Sequence, residues 1–165
     1  MVNGKWIVTA LIIASGVLVA FSLFPGEEKK VKKQFSLLAH YASKDEEEKI
    51  LAMARKMNSL ESLFAESCEV TAPLYSLAGK FSRTDLASLA SRARMHFAQL
   101  TLAFHDLSVS FPDPETAQVV LTGEMRGKSS RGTWVHEVRE IECLLKKSQG
   151  EWLFNKWAIV EVLKR

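Results

Sequence analysis

Six side chains in this 165-residue sequence could carry a proton beside apolar surroundings: Tyr75, His96, His105, Asp106, His136 and Glu140. An acid or base facing an apolar pocket has its pKa displaced by burial, which is what acid–base catalysis requires. Each also has a plainer role. His96 falls near the end of a helical stretch, where an imidazolium answers the negative end of the helix dipole. His105 and Asp106 are neighbours on a strand, so they point to opposite faces unless a bulge re-aims one. His136 and Glu140 share a strand phase with Trp134 and Val138 but stand about 13 Å apart, too far for direct contact.

Other chemistries are poorly served. No His, Cys, Asp or Glu cluster has metal-ligand spacing, and neither a Gly-rich phosphate loop nor a nucleophile elbow is present. No metal and no cofactor are therefore expected. A net charge of +3 with 25% charged residues lacks the basic stripe of a nucleic-acid binder, so no nucleic-acid partner is expected either. Cys68 and Cys143 are read as buried thiols, or as a disulfide if the compartment is oxidising.

The elements that must position these groups are strands. Residues 100–111, 116–126, 133–146 and 151–163 read as four long β-strands, separated by Pro112-Asp113-Pro114, Gly127 to Gly132 and Ser148-Gln149-Gly150. The apolar phase of the first slips: Leu100, Leu102 and Phe104 alternate one way, Leu107, Val109 and Phe111 the other. One extra residue at His105-Asp106, a β-bulge, restores a single inward face. In the last strand both phases are partly apolar, Trp152 and Phe154 on one and Leu153, Trp157 and Ile159 on the other. That predicts a second covered face, with a twofold copy the simplest cover; scattered exposed apolar residues are the plainer account.

Cover for the first face must come from helices. Val31, Phe35, Leu38 and Tyr41 recur at helical spacing over 26–42, with Lys29, Lys30, Lys32 and Lys33 among them. The lysines are either the solvated face of that helix or a contact with anionic headgroups. Ser43-Lys44-Asp45-Glu46 reads as a capping box that restarts a helix with Ile50, Leu51, Ala54 and Met57 on one face and a break at Asn58-Ser59. The acids Asp45 to Glu48 then answer the dipole of its first turn. Residues 68–82 read as a short edge hairpin interrupted by Pro73 and Gly79. Ser82-Arg83-Thr84-Asp85 caps a further helix striped by Leu86, Leu89, Ala90, Ala93 and Phe97.

Ahead of all this, Trp6 to Phe24 holds nineteen residues without a charge. At 1.5 Å per residue that is about 28 Å, close to the hydrocarbon thickness of a bilayer. An uncleaved single-pass anchor over 1–25 is predicted in preference to a cleaved signal, because the far end is bulky and carries no small-x-small site. The lipid bilayer, of a bacterial inner membrane, is the first partner this implies. The four lysines after the span favour a cytoplasmic domain by the positive-inside bias, and the side is left open.

Taken in order, LAGKFSRTDLASL (77–89), FHDLSVSF (104–111) and GEWLFNKWAIVEV (150–162) resemble the NTF2-like (SnoaL-like, cystatin-like α+β) superfamily; the resemblance covers roughly Val31 to Leu163, with the domain itself at 43–165. The resemblance implies an α+β cone: behind the transmembrane helix, a curved antiparallel sheet packed on about three helices, with a pocket at its wide end and frequent dimerisation through the sheet. The expected pocket lining is Phe64, Tyr75, His96, Phe104, His105, Asp106, Trp134, His136 and Trp157. Its members include isomerases, dehydratases and cyclases as well as non-catalytic binding or assembly modules. Two functions follow. One is a membrane-anchored binding or assembly module, self-associating as a homodimer or joining a membrane-complex partner protein. The other is a membrane-tethered enzyme acting on a small apolar molecule, with His105, Asp106 or His136 as proton carrier.

Overall fold

Turn chemistry divides the second half of the chain as expected. Asp113 Oδ1 accepts the Glu115 backbone N–H at 2.9 Å, closing the first turn. Gly132 adopts φ +87°, and Gln149 and Gly150 take φ +51° and +85°, closing the next two. In this computed structural model, which describes residues 26–160, the strands so bounded are β3 (Phe97–Asp113), β4 (Thr116–Ser129), β5 (Trp134–Ser148) and β6 (Glu151–Val160). They form an antiparallel meander. The predicted anchor at Trp6–Phe24 lies outside the described residues. Among the described residues no helix is long and apolar enough to cross a membrane.

Two further strands, β1 (Phe64–Ala72) and β2 (Leu77–Ser82), pair antiparallel around a 3-10 turn at Pro73–Tyr75. This is the expected hairpin, begun four residues earlier. β1 then pairs in parallel with β6, an arrangement the sequence pattern did not suggest. The sheet order is β2-β1-β6-β5-β4-β3, so the last strand of the chain lies inside the sheet.

Contacts divide the chain into two compact units, Met1–Lys30 and Val31–Arg165. A first helix, α1, covers described residues 26–42. In the first unit Lys30 pairs with Glu27 at 2.8 Å. In the second, Val31, Phe35 and Leu38 are buried as their spacing requires, while Lys32 and Lys33 are exposed. Helix α3 (Arg83–Met95) starts on the predicted capping box: Ser82 Oγ accepts the Asp85 N–H at 3.1 Å and Asp85 reaches back to the Ser82 N–H. Its stripe differs from expectation. Ala87 and Arg94 are the buried positions, Ala93 is exposed, and Phe97 already belongs to β3.

The Ser43 capping box does not form. Residues 43–49 run as a loop along the free edge of β3. Lys44 and Leu100 exchange backbone hydrogen bonds of 2.7 and 2.9 Å, and the Leu102 N–H donates to Ser43 Oγ at 3.0 Å. Edge pairing outcompetes the cap because β3 would otherwise expose those donors. Helix α2 (Ile50–Glu61) therefore begins later, capped by no side chain, and runs through Asn58-Ser59 unbroken. Ile50 and Leu51 are 87% and 64% exposed, and the buried residues are Met57 and Leu60. Glu48 is not a first-turn acid. It is buried against Arg94 Nη2 at 2.5 Å and Lys56 Nζ at 2.7 Å.

The bulge predicted from the phase slip in β3 appears, and β6 carries one that was not predicted. The β3–β4 register shifts between His105 and Ser108, and Asp106 takes φ +54°, so the bulge is present. A second irregularity at Asn155 shifts the β5–β6 register, which keeps Trp157 packed against the core beside Trp152 and Phe154. The double apolar phase of β6 thus reflects this bulge; it is not by itself a sign of a second covered face. Cys68 and Cys143 are buried free thiols. β6 lies between their strands, and two strand spacings of about 9.5 Å exceed the reach of a disulfide. Burial, with Glu69 nearby, pushes the Cys68 thiol up to about 11.

Candidate functional site

Along β4 the alternation Val119, Leu121, Gly123 packs toward the helices, which leaves Val120, Thr122, Glu124 and Arg126 on the outer face. Register then sets His105 of β3 opposite Thr122, and Val138 and His136 of β5 opposite Glu124 and Arg126. The Glu124 carboxylate is the centre of this group. It accepts from Arg126 Nε at 2.7 Å and meets His136 Nε2 at 2.8 Å and His105 Nε2 at 3.0 Å. The Arg126, His136 and His105 hydrogen bonds, in that order of weight, hold it down to about 2. Around this group the outer face exposes Trp134 (67%), Val138 (48%) and Val120 (43%). Asp106 lines an open groove of about 400 Å³ there with Ser108, Val120, Thr122, Val138 and Glu140.

The inner face carries different chemistry. Phe35 of α1 packs edge-on against Phe104 (5.6 Å between centroids) and Phe154 (5.0 Å), and Trp157 meets Phe104 at 5.9 Å and Phe154 at 5.7 Å. Phe64 joins through Phe154 at 5.4 Å. Such pairs each add roughly 0.5–1.5 kcal/mol beyond their buried area, so this part of the interior is packed rather than hollow. A cleft of about 400 Å³ opens between α1 and β3, lined by Phe35, Ala39, Leu102, Phe104 and Leu107 with Lys32 and Ser36 at its polar side. Farther along the same face of β5, in phase with Ile141, stand Glu137 and Arg139. Tyr75 donates its phenol to Glu137 Oε2, and Arg139 Nη2 lies 3.4 Å from the same oxygen. Burial first, then the hydrogen bond to and charge of Glu137, push the Tyr75 phenol up, so it stays a proton donor. Among the described residues no group of three His, Cys, Asp or Glu could hold a metal ion.

No protein-family model matches the sequence, and no curated protein matches it. Solved structures do. The Kfla4162 protein of Kribbella flavida superposes with a TM-score of 0.70 at 8% identity, over 82% of this chain and 90% of that one. A hexachlorocyclohexane dehydrochlorinase, LinA type 2, gives 0.65 at 11% identity over 82% and 84%. Rd1NTF2_05, in a variant form, gives 0.53 at 12% identity over 81% and 99%. The fold is NTF2-like. At these identities the likeness establishes architecture and leaves activity open.

Within the NTF2-like cone the nine residues expected to line the pocket separate into distinct places. Phe64, Phe104 and Trp157 meet inside through Phe154. His105, His136 and Trp134 lie on the outside of the sheet, and the bulge turns Asp106 to the outer groove as well. His96 is the exposed C-cap of α3, as its plainer reading held. Tyr75 reaches the inner face, but its partners Glu137 and Arg139 were missed. The signal for them was the phase of β5: Ile141, Cys143 and Leu145 are more apolar than Trp134, His136, Val138 and Glu140, so the odd-numbered side chains had to face the helices. Glu124 was missed because nothing in its own neighbourhood marks a carboxylate that collects donors from three strands.

Proposed function

We propose that this chain is a membrane-tethered NTF2-like binding or assembly module that self-associates through the outer face of its sheet. The tether rests on Trp6–Phe24, and Lys29, Lys30, Lys32 and Lys33 would then lie close to the bilayer surface. One observation carries the module reading: the three side chains expected to move protons on a substrate stand on the open side of the sheet, clustered around three exposed apolar residues. Val120 and Val138 share one open groove, and Trp134 stands four residues farther along β5, a spread of exposed apolar side chains on one face. Charges of both signs are interspersed on this face: His105 and Glu140 share the register of Thr122, Glu124 bridges Arg126 and His136, and Lys156 lies beside Glu142. A second copy laid on this face across a twofold axis parallel to the sheet would cover the same residues of both chains, as an isologous interface requires. A small apolar molecule in the α1–β3 cleft, or a membrane-complex protein on the same patch, remains compatible with this role.

The experiment is sedimentation equilibrium of the full-length chain in non-ionic detergent at tens of micromolar, beside Val138→Lys. A dimer that the substitution converts to monomer is expected. A wild-type monomer removes the reading.

A second reading has a specific observation behind it. Tyr75, Glu137 and Arg139 form a polar group on the inner face, the side on which a substrate of the cone would lie, and one structural neighbour is named as a dehydrochlorinase. An enzyme of this kind would use Tyr75 as the proton donor and Glu137 as its partner, in place of His105, Asp106 or His136. Loss of turnover in Tyr75→Phe, with His136→Gln unaffected, is its test once a substrate is in hand.

A further inference from the structure

Helix α1 and the edge strand β3 run past one another in opposite directions: Ser43, just beyond the helix, meets Leu102, and Phe35, two turns earlier, meets Phe104. The cleft of about 400 Å³ between them is a slot with unlike ends. At one end Ser43 Oγ donates to the Ala39 carbonyl at 2.7 Å and accepts the Leu102 N–H at 3.0 Å, which ties helix to strand and shuts the slot. At the other, two turns up the helix from Ala39, exposed Lys32 lines the opening. We infer that this slot is a binding site for a medium-chain fatty acid, held with its tail toward Ser43 and its carboxylate at Lys32. The inference names an occupant for the cleft and stands independently of the self-association proposed above.

Length and lining point to the tail. From Ala39 to Lys32 the helix rises about 10 Å, the span of a medium alkyl chain. The volume falls toward the lower end of the roughly 300–1,000 Å³ of small-molecule sites, which leaves room for one such chain. Phe35 forms the floor, and Ala39, Leu102, Phe104 and Leu107 are only half-buried, so a tail laid there removes apolar surface that water now reaches.

The polar chemistry of the slot has one sign. Among the described residues no carboxylate lines it. Strand phase adds a second donor beside the Lys32 ammonium. The Leu100 and Leu102 N–H groups point to the free edge of β3, where Lys44 and Ser43 take them. The Phe104 N–H, next in the same phase, points the same way past the last residue that this loop pairs with. An ammonium and a backbone N–H together suit a carboxylate. The grooves of the outer face lack that pairing: Asp106 and Glu140 wall one, and Glu142 stands beside Lys156 in the other.

The test is photolabelling of the full-length chain in non-ionic detergent with a decanoate that carries a diazirine at its tail, followed by mass mapping of the adducts. Adducts within residues 35–43 and 102–107, displaced by decanoate and not by decylamine, are expected. Lys32→Met should weaken displacement by decanoate about fivefold, and Ala39→Phe, which fills the slot from the helix side, should remove the adducts. Lys32 is exposed, so its replacement leaves the fold intact and keeps the test decisive if Ala39→Phe fails to fold. Adducts confined to other segments overturn the site. Decylamine as effective as decanoate, or a Lys32→Met chain that binds decanoate unchanged, overturns the fatty-acid assignment. Sedimentation reads the dimer separately, so failure here leaves that reading where it stood.

Discussion

The ring of Phe97 covers Gly127. A β-carbon on that glycine would come within 2.6 Å of Phe97 Cδ1, 2.8 Å of Cε1 and 3.2 Å of the Gln99 carbonyl oxygen. Aromatic cover of a strand glycine repairs the packing that the missing side chain gives up. It also fixes the start of β3, where the chain leaves α3 and enters the meander.

Gly127→Ala is therefore expected to destabilise the domain by about 1–3 kcal/mol, as overpacking does. Phe97→Leu in the same chain should return part of that loss, since a smaller side chain can yield where a ring cannot. Urea titration of the four forms gives the coupling. Additive effects would mean that the ring does not set the cost.

Glu124 makes stability depend on acid in a defined window. Its folded-state pKa, about 2, is below the ordinary 4.5, so its contribution is complete above pH 4.5 and is lost as pH falls toward 2. The wild-type chain should thus exceed Glu124→Gln in stability at neutral pH, and the difference should close across that interval. Chemical denaturation at a series of pH values reads it. A difference that persists unchanged at pH 2 contradicts the assignment.

Arg94 is 1% exposed, and its Nη2 meets Glu48 and the Ser43 carbonyl. Arg94→Met leaves the Glu48 carboxylate, which is 3% exposed, held by Lys56 without the guanidinium, and is expected to cost about 1–3 kcal/mol. The combination with Glu48→Leu should recover much of this, because two apolar groups replace two desolvated charges. If the double substitution is as unstable as the single, the loop's attachment matters more than the charge pair. Thermal unfolding of the three forms separates the outcomes.

What could be read in advance divides by the range of the interaction. The meander, the Ser82 cap and the His105-Asp106 bulge are encoded within a dozen residues each, by alternation, turn residues and a phase slip, and they formed where expected. The Ser43 cap was equally well spelled, yet its serine went to Leu102, a residue 59 positions away. The parallel union of β1 with β6 is also a long-range choice, invisible to a sliding window. The site suffered most from this. Which face of β5 turns inward decides whether Glu137 or His136 meets the interior, and both faces carry ionisable groups. Only the burial of Ile141, Cys143 and Leu145 resolves it.

The position of β6 between β5 and β1 bears on how the protein comes into being. A ribosome delivers β1 and β2 before β6, so the β1–β2 hairpin has no strand to join until the meander between them has been synthesised. Its seat is filled by residues some ninety positions downstream. Translation interrupted before Glu151 would yield two disconnected ribbons with raw edges, a species for proteases and chaperones to recognise. Completion of this sheet thus waits on β6, and a product cut off before that strand has no partly working form to fall back on.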